Sequence, residues 1–340
     1  MNTRNLFVAP KRAWVRILAN ALAALVVVGL LVFFLGPKNE FGPNTPAARE
    51  AAPAQLNELD SWLAQNEAKV LGLKPGTAKG IVWAHADKQA TDWAVVYVHG
   101  FSASRLETAP VADNLAKALG ANVFYTRLTG HGLPGEAMGE ATAQDWMADT
   151  LEAVRIGKTL GRKVLLISCS TGSTLATWLA TSPDAKLVDA HVFISPNFGL
   201  KNKAAELVNG HWGHRIAYAV TGPKVVYTSD NPRDAQGWTQ SYPTKALFPM
   251  LALVKKVRDS DLSAFQTPVL VLFSEQDETV EPAETKKAFA RFGAAQKKLD
   301  PIDFSQSKGQ HVLAGDIRDP QAVAPLVERI LTWVQTLTPS

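Results

Sequence analysis

The chain is short of cysteine, of net charge beyond its first residues, and of any internal repeat or low-complexity tract. Its single cysteine, Cys169, rules out an intramolecular disulfide and neither argues for an oxidising compartment nor against one. No cysteine lies near either end, so a lipid attached through sulfur has no candidate. The formal charge of +4 and the pI near 9.0 invite a nucleic-acid reading, but residues 1–16 hold Arg4, Lys11, Arg12 and Arg16 and no acid. Removing those four from the 35 Lys and Arg leaves 31, against 31 Asp and Glu. A neutral body offers no phosphate-binding surface, so no nucleic-acid partner is expected. What is abundant is apolar side chain: 340 residues, 46% hydrophobic and 19% charged, make a large buried core and exclude a disordered, collagen-like or disulfide-stapled protein.

Polarity is also missing from residues 17–35, where Asn20 is the lone polar side chain. At about 1.5 Å per residue, nineteen residues make a helix close to the thickness of a hydrocarbon core. A soluble helix would keep a polar face, and this one has none. The four basic residues precede it, so the positive-inside rule places a basic cytoplasmic N-terminus at 1–16, a transmembrane anchor at 17–35 and the rest on the outer, periplasmic or extracellular side. The alternative is secretion after cleavage of a signal peptide. It is disfavoured because the apolar run exceeds an ordinary signal core and no small-x-small site follows.

Residues 36–54, with Pro37, Pro43, Pro46 and Pro53, read as a semi-extended linker. Leu56, Leu59, Trp62, Leu63 and Val70 then recur at helical spacing, on a segment that packs on the body or on the membrane surface. Strands are expected at 81–84, 94–98, 122–126, 163–167, 191–194 and 268–273, with a last strand-like stretch at 301–304. Helices are expected at about 105–119, 142–161, 172–182, 283–292 and 321–337. Near-continuous apolar strands alternating with helices predict an α/β domain over 55–340 with a mostly parallel sheet buried on both faces. One connector is too long for that rhythm. Residues 197–266, with Trp212, Trp238, Tyr242 and a helix-like stretch at 245–257, are read as a cap or lid over the C-terminal edge of the sheet.

The chemistry concentrates after the strand at 163–167, where Ser168-Cys169-Ser170-Thr171-Gly172-Ser173 leads into a helix. A nucleophile on such a strand–turn–helix elbow needs small residues two before and two after it. Ser168 fails because of Leu166, and Cys169 because of Ile167 and Thr171; Ser170, between Ser168 and Gly172, passes. Serine needs a base to take its proton and an acid to orient that base. His311, after the last strand-like stretch, sits where the chain order Ser, acid, His puts a base. The acid should lie at the end of a strand between them. Asp277 meets this best; Glu275 and Glu278 remain open, while Asp300 and Asp303 come too late. Backbone amides must meet the oxyanion: one comes from Thr171, the other from Phe101, in the loop that bends at Gly100.

Val98-His99-Gly100-Phe101-Ser102, Arg127 to Gly132, Ser168 to Gly172, Ser274 to Pro282 and Gly309 to Leu313 together resemble, in order, the motifs of the α/β-hydrolase superfamily, in its monoacylglycerol lipase and serine-aminopeptidase-like branch, hydrolase 4. The likeness covers about residues 80–337. It departs at Ser168, where the family usually has glycine. It implies an α/β-hydrolase fold with Ser170, Asp277 and His311 as triad, Phe101 and Thr171 as oxyanion hole, and His131 as a structural residue of the pocket wall. No cofactor and no metal are implied, and His211 and His214 lack a third ligand. A small ester or lipid-like substrate leads. The alternatives are a peptidase or amidase, for which Glu206, Asp230 and Asp234 are the cap carboxylates available, a C–C bond hydrolase, or a silent tethered binding protein.

Overall fold

The computed structural model describes residues 10–337, with side chains from Ala13 onward. The basic N-terminal segment therefore falls largely outside the described residues, including Arg4 and the side chains of Lys11 and Arg12. Helix α1 (Pro10–Phe34) contains an apolar span, Ala13–Phe34, of mean hydropathy 2.7 that is left unburied by the protein, touches it only at its C-terminal end, where Phe33 and Phe34 meet the His211 ring, and is long enough to cross a membrane. Helix α2 (Leu56–Ala68) buries Leu59 and Leu63 in the core of the body, which decides between the two packings the sequence leaves open.

The elements that follow are β1 (Gly80–Val82), β2 (Thr91–Val98), α3 (Val111–Leu119), β3 (Asn122–Tyr125), α4 (Ala143–Leu160), β4 (Gly161–Cys169), α5 (Thr171–Ala180), β5 (Ala190–Ile194), α6 (Gly213–Thr221), β6 (Lys224–Val226), α7 (Asp234–Gly237), β7 (Ser241–Pro243), α8 (Leu247–Arg258), β8 (Val269–Phe273), α9 (Pro282–Arg291), β9 (Lys297–Pro301) and α10 (Val323–Gln335). Seven strands form one sheet in the order β1-β3-β2-β4-β5-β8-β9. All neighbours are parallel except β1, which runs antiparallel to β3. The longest register joins β2 to β4, from Thr91 opposite Gly161 to Val98 opposite Ser168.

Alternation along these strands sorts the core into two layers. Ala94, Val96, Val98, Val164 and Leu166 share a cluster with residues of α4, α5 and α8. Val95, Tyr97, Leu165, Ile167 and Cys169 point the other way, into a cluster with α3 and α10. Both faces being covered, the strands can be apolar throughout.

Two expectations need correction. The last strand is Lys297–Pro301, not 301–304: β9 is a sheet edge that carries Lys297 and Lys298, and charged edge residues erase the apolar pattern. The helix expected over 105–119 is a short 3-10 turn, Arg105–Glu107, followed by α3, because the residue before Pro110 disfavours helical backbone.

The long connector divides by packing. Its last helix, α8, joins the layer of α5, whereas the stretch before it holds short pieces and the two-stranded β6–β7 sheet. Residues 36–49 run along the body without regular structure, pinned by side chains. Asn39 donates to Asn209 Oδ1 and to the Phe248 carbonyl, Gln144 donates to the carbonyls of Phe41 and Pro43, and Arg49 pairs with Asp145.

Candidate active site

β4 ends at Cys169 and α5 starts at Thr171, leaving one residue for the reversal. Ser170 takes it with φ 51° and ψ −118°, a strained backbone for a side-chain-bearing residue. Its amide is held by the Ile194 carbonyl at 3.0 Å. The flanking sizes are set by contact: a Cβ on Gly172 would lie 2.3 Å from the Val98 carbonyl oxygen and 2.7 Å from that of His99. On the other side Ser168 fits, because its Oγ is bonded to Ser173 Oγ at 3.0 Å and thus has a buried partner.

Ser170 opens on a cavity of about 540 Å³, lined also by Phe101, Glu107, Thr171 and His311. Its hydroxyl has no hydrogen-bond partner among the described residues. His311, in the loop between β9 and α10, directs Nδ1 to Asp277 Oδ2 at 2.8 Å. Asp277, buried in the loop after β8, is fixed by its other oxygen, which accepts from the amides of Thr279 at 2.7 Å and Val280 at 2.9 Å. That second oxygen, tied to the backbone, leaves the first free to orient imidazole. Of the two neighbouring acids, Glu275 is exposed and paired with Lys286, and Glu278 lines the cavity. Asp300 is bound by Lys298 and Arg329.

Phe101 and Thr171 line this cavity together with Ser170, and neither amide makes a hydrogen bond among the described residues. For Thr171 the reason is general: the first amides of a helix have no partner within it. The Phe101 loop is held from behind. His131 Nε2 accepts from the Ser102 amide at 3.0 Å, and His99 Nε2 accepts from the Leu128 amide at 3.1 Å. Burial pushes His131 down to about 4 and His99 well below the usual histidine range, so both stay neutral acceptors. His211 and His214 are engaged by the linker, at the Gly36 carbonyl and Asn39 Oδ1.

One residue of the site escaped the sequence reading. Glu107, in the 3-10 turn, is buried, yet lines the cavity. Its Oε1 accepts from the Gly100 amide at 2.7 Å and from the Tyr97 hydroxyl at 2.9 Å. Desolvation raises its carboxyl to about 7. No motif marks it; only the fold of the loop onto β2 does.

The three candidate cap carboxylates, Glu206, Asp230 and Asp234, have cationic partners. Arg258 grips Glu206 through two nitrogens, at 2.7 and 2.9 Å. Lys308 pairs with Asp230, and Arg318 with the buried Asp234 at 2.9 Å.

The profile of a family described as serine aminopeptidase, S33 (hydrolase 4) matches residues 89–304, a stretch that includes Ser170 and Asp277 and ends before His311. A thermostable monoacylglycerol lipase of Bacillus sp. (strain H-257) is 27% identical over 235 residues, covering 69% of this chain and 88% of that protein. Among solved structures, one from work on two metagenome-derived lipolytic enzymes superposes with a TM-score of 0.61 at 20% identity, over 78% of this chain and 99% of the other. A soluble variant of the monoglyceride lipase of Saccharomyces cerevisiae gives 0.58 at 14% identity, over 77% and 92%.

Proposed function

Since the chain belongs to the hydrolase 4 (serine aminopeptidase, S33) family and has the α/β-hydrolase fold, we propose that it is a membrane-anchored serine hydrolase cleaving carboxylic esters through an acyl-enzyme on Ser170. The observation that carries this reading is the convergence of Ser170, at its strained turn, with the His311–Asp277 pair in one cavity beside two unpartnered amides. Ser170 Oγ attacks the ester carbonyl as His311 Nε2 takes its proton, and Asp277 holds the imidazolium. The oxyanion rests on the Phe101 and Thr171 amides. Collapse breaks the C–O bond, and the imidazolium protonates the leaving alcohol. Water, deprotonated by His311, then attacks the acyl-enzyme, releasing the acid and restoring Ser170.

An ester is favoured over a peptide N-terminus by the cap. The three cap carboxylates that could hold a substrate ammonium, Glu206, Asp230 and Asp234, are all matched to cations. Phe101, Leu200, Leu247 and Met250 on the cavity wall suit an apolar acyl chain, in keeping with a relative named as a monoacylglycerol lipase.

Retention of α1 as an anchor is supported by its seat on the cap, and an N-terminus in the cytoplasm with the catalytic domain outside by the four basic residues that precede the apolar run. Trp212 Nε1 donates to the carbonyls of Val32 and Phe33, both at 3.1 Å, in the last turn of the helix.

The test is hydrolysis of p-nitrophenyl esters, from acetate to palmitate, by the detergent-solubilised full chain beside Ser170→Ala. Turnover on at least one ester, lowered by about 10³-fold or more in the variant, is expected. A variant as active as the parent would overturn the assignment.

A further inference from the structure

Gly100 is enclosed on two sides. The point where a side chain would begin there lies 3.1 Å from Glu107 Oε2, 3.1 Å from Ser170 Cβ and 3.4 Å from the Cys169 carbonyl oxygen. The backbone that leads into Phe101 is thus sandwiched between the elbow and a buried carboxyl. That carboxyl is itself held in place. Tyr97, which donates to Glu107 Oε1, receives a hydrogen bond from Thr108 Oγ1 at 2.7 Å, so strand β2 and the turn are tied by a chain of three side chains. The Glu107 amide donates to the Ser104 carbonyl, and Ser104 Oγ donates to the Gly237 carbonyl of the cap at 3.0 Å. These links converge on Glu107, whose Oε1 accepts the Gly100 N–H.

Resting on the assignment of Ser170 and the Phe101 amide above, we propose that Glu107 is a positioning residue for acyl transfer: by accepting the Gly100 N–H it fixes the loop so that the next amide, Phe101, faces the carbonyl oxygen being attacked. Nothing in this role requires contact with substrate. A misplaced oxyanion donor weakens binding in the transition state and leaves ground-state binding nearly untouched, so the loss belongs in kcat.

The charge on Glu107 gives a second handle. The titratable groups that face it are Tyr97 from β2, Cys169 from the end of β4 and His311 across the cavity. Among them only His311 can carry positive charge, so burial dominates and the carboxyl is protonated up to about pH 7. Below that value the Gly100 amide is held by a neutral group. Above it, an anion sits beside the place where the oxyanion must form, and like charges there raise the barrier.

The experiment is steady-state kinetics from pH 5.5 to 9 on the best p-nitrophenyl ester, with the full chain, Glu107→Ala, Glu107→Gln and Ser170→Ala, each checked for a cooperative melt. Glu107→Ala is expected to lower kcat at least tenfold with KM changed less than threefold. Glu107→Gln, which keeps an acceptor for the Gly100 amide and cannot ionise, should recover most of that loss at pH 6 and hold its kcat from pH 7 to 9, where the parent's declines. Parent-like kcat in Glu107→Ala, or a glutamine variant no better than alanine, overturns the inference. If the alanine variant does not fold, the glutamine profile decides: superposition on the parent's overturns it. Ser170→Ala separates the premises. Should it turn over like the parent, the serine assignment fails; should it be dead while Glu107 proves indifferent, only this inference does.

Discussion

The two walls of the cavity are made differently. The wall that carries Ser170, Phe101 and Thr279 grows from the ends of β4, β2 and β8, strands buried on both faces and joined, through β5, by continuous ladders. The wall contributed by residues 197–246 contains a two-stranded ribbon, two short helices and 3-10 turns, and exposes Leu207, Val220 and Val226. It is held by polar side chains at intervals, such as Arg258 on Glu206 and Arg318 on Asp234. Positional precision in the first wall comes from cooperative packing of its strands, to which the Glu107 bond to the Gly100 amide is added at the Phe101 loop. The second is a set of local attachments, each separable from the rest. Substitutions of similar size should therefore have unequal consequences.

The most damaging should be Asp277→Asn. The amides of Thr279 and Val280 still find an oxygen, so the fold survives, but the acid that orients His311 is gone. A fall in kcat of about 10³ to 10⁴ is expected with an unchanged melting temperature. A loss below tenfold would hand the role to Glu278.

Two glycines give a closer contrast. An added Cβ would reach 2.3 Å from the Val98 carbonyl at Gly172 and 2.1 Å from the Trp212 indole at Gly36, so by distance the two sites are equally closed. At Gly172 the obstacle is the backbone of a central strand. Gly172→Ala should cost about 1–3 kcal/mol or more, read as a lower urea midpoint at constant slope. At Gly36 the obstacle is a partly exposed ring that can turn aside. Gly36→Ala should change stability by less than about 0.5 kcal/mol, while trypsin cleavage after Lys38 speeds up as the seat loosens. Equal losses at both positions would remove the distinction between the walls.

The same division explains what could be read from the sequence. β2, β4, β5 and β8 announce themselves because two-sided burial demands unbroken apolar runs, and the placing of Ser170 follows from the sizes of Ser168 and Gly172 alone. β9 does not, since its edge position tolerates Lys297 and Lys298. That α8 packs with α5 was hidden because a helix pattern records which face is apolar and not what covers it. Glu107 was hidden for a deeper reason. Its partners Tyr97 and Gly100 are near in sequence, but its burial beside Cys169 and Ser170 exists only once β2 and β4 have paired over the whole register from Thr91 to Val98.

The seat of α1 on Trp212 has a kinetic consequence. The stretch that grips the helix end also sends Tyr227, Trp238 and Tyr242 to the cavity, so mooring and doorway are one piece of the molecule. With α1 in a bilayer, such an enzyme would not sample the bulk. Its rate would follow the number of substrate molecules per lipid rather than per litre, and diluting the substrate with inert lipid at constant volume would slow it.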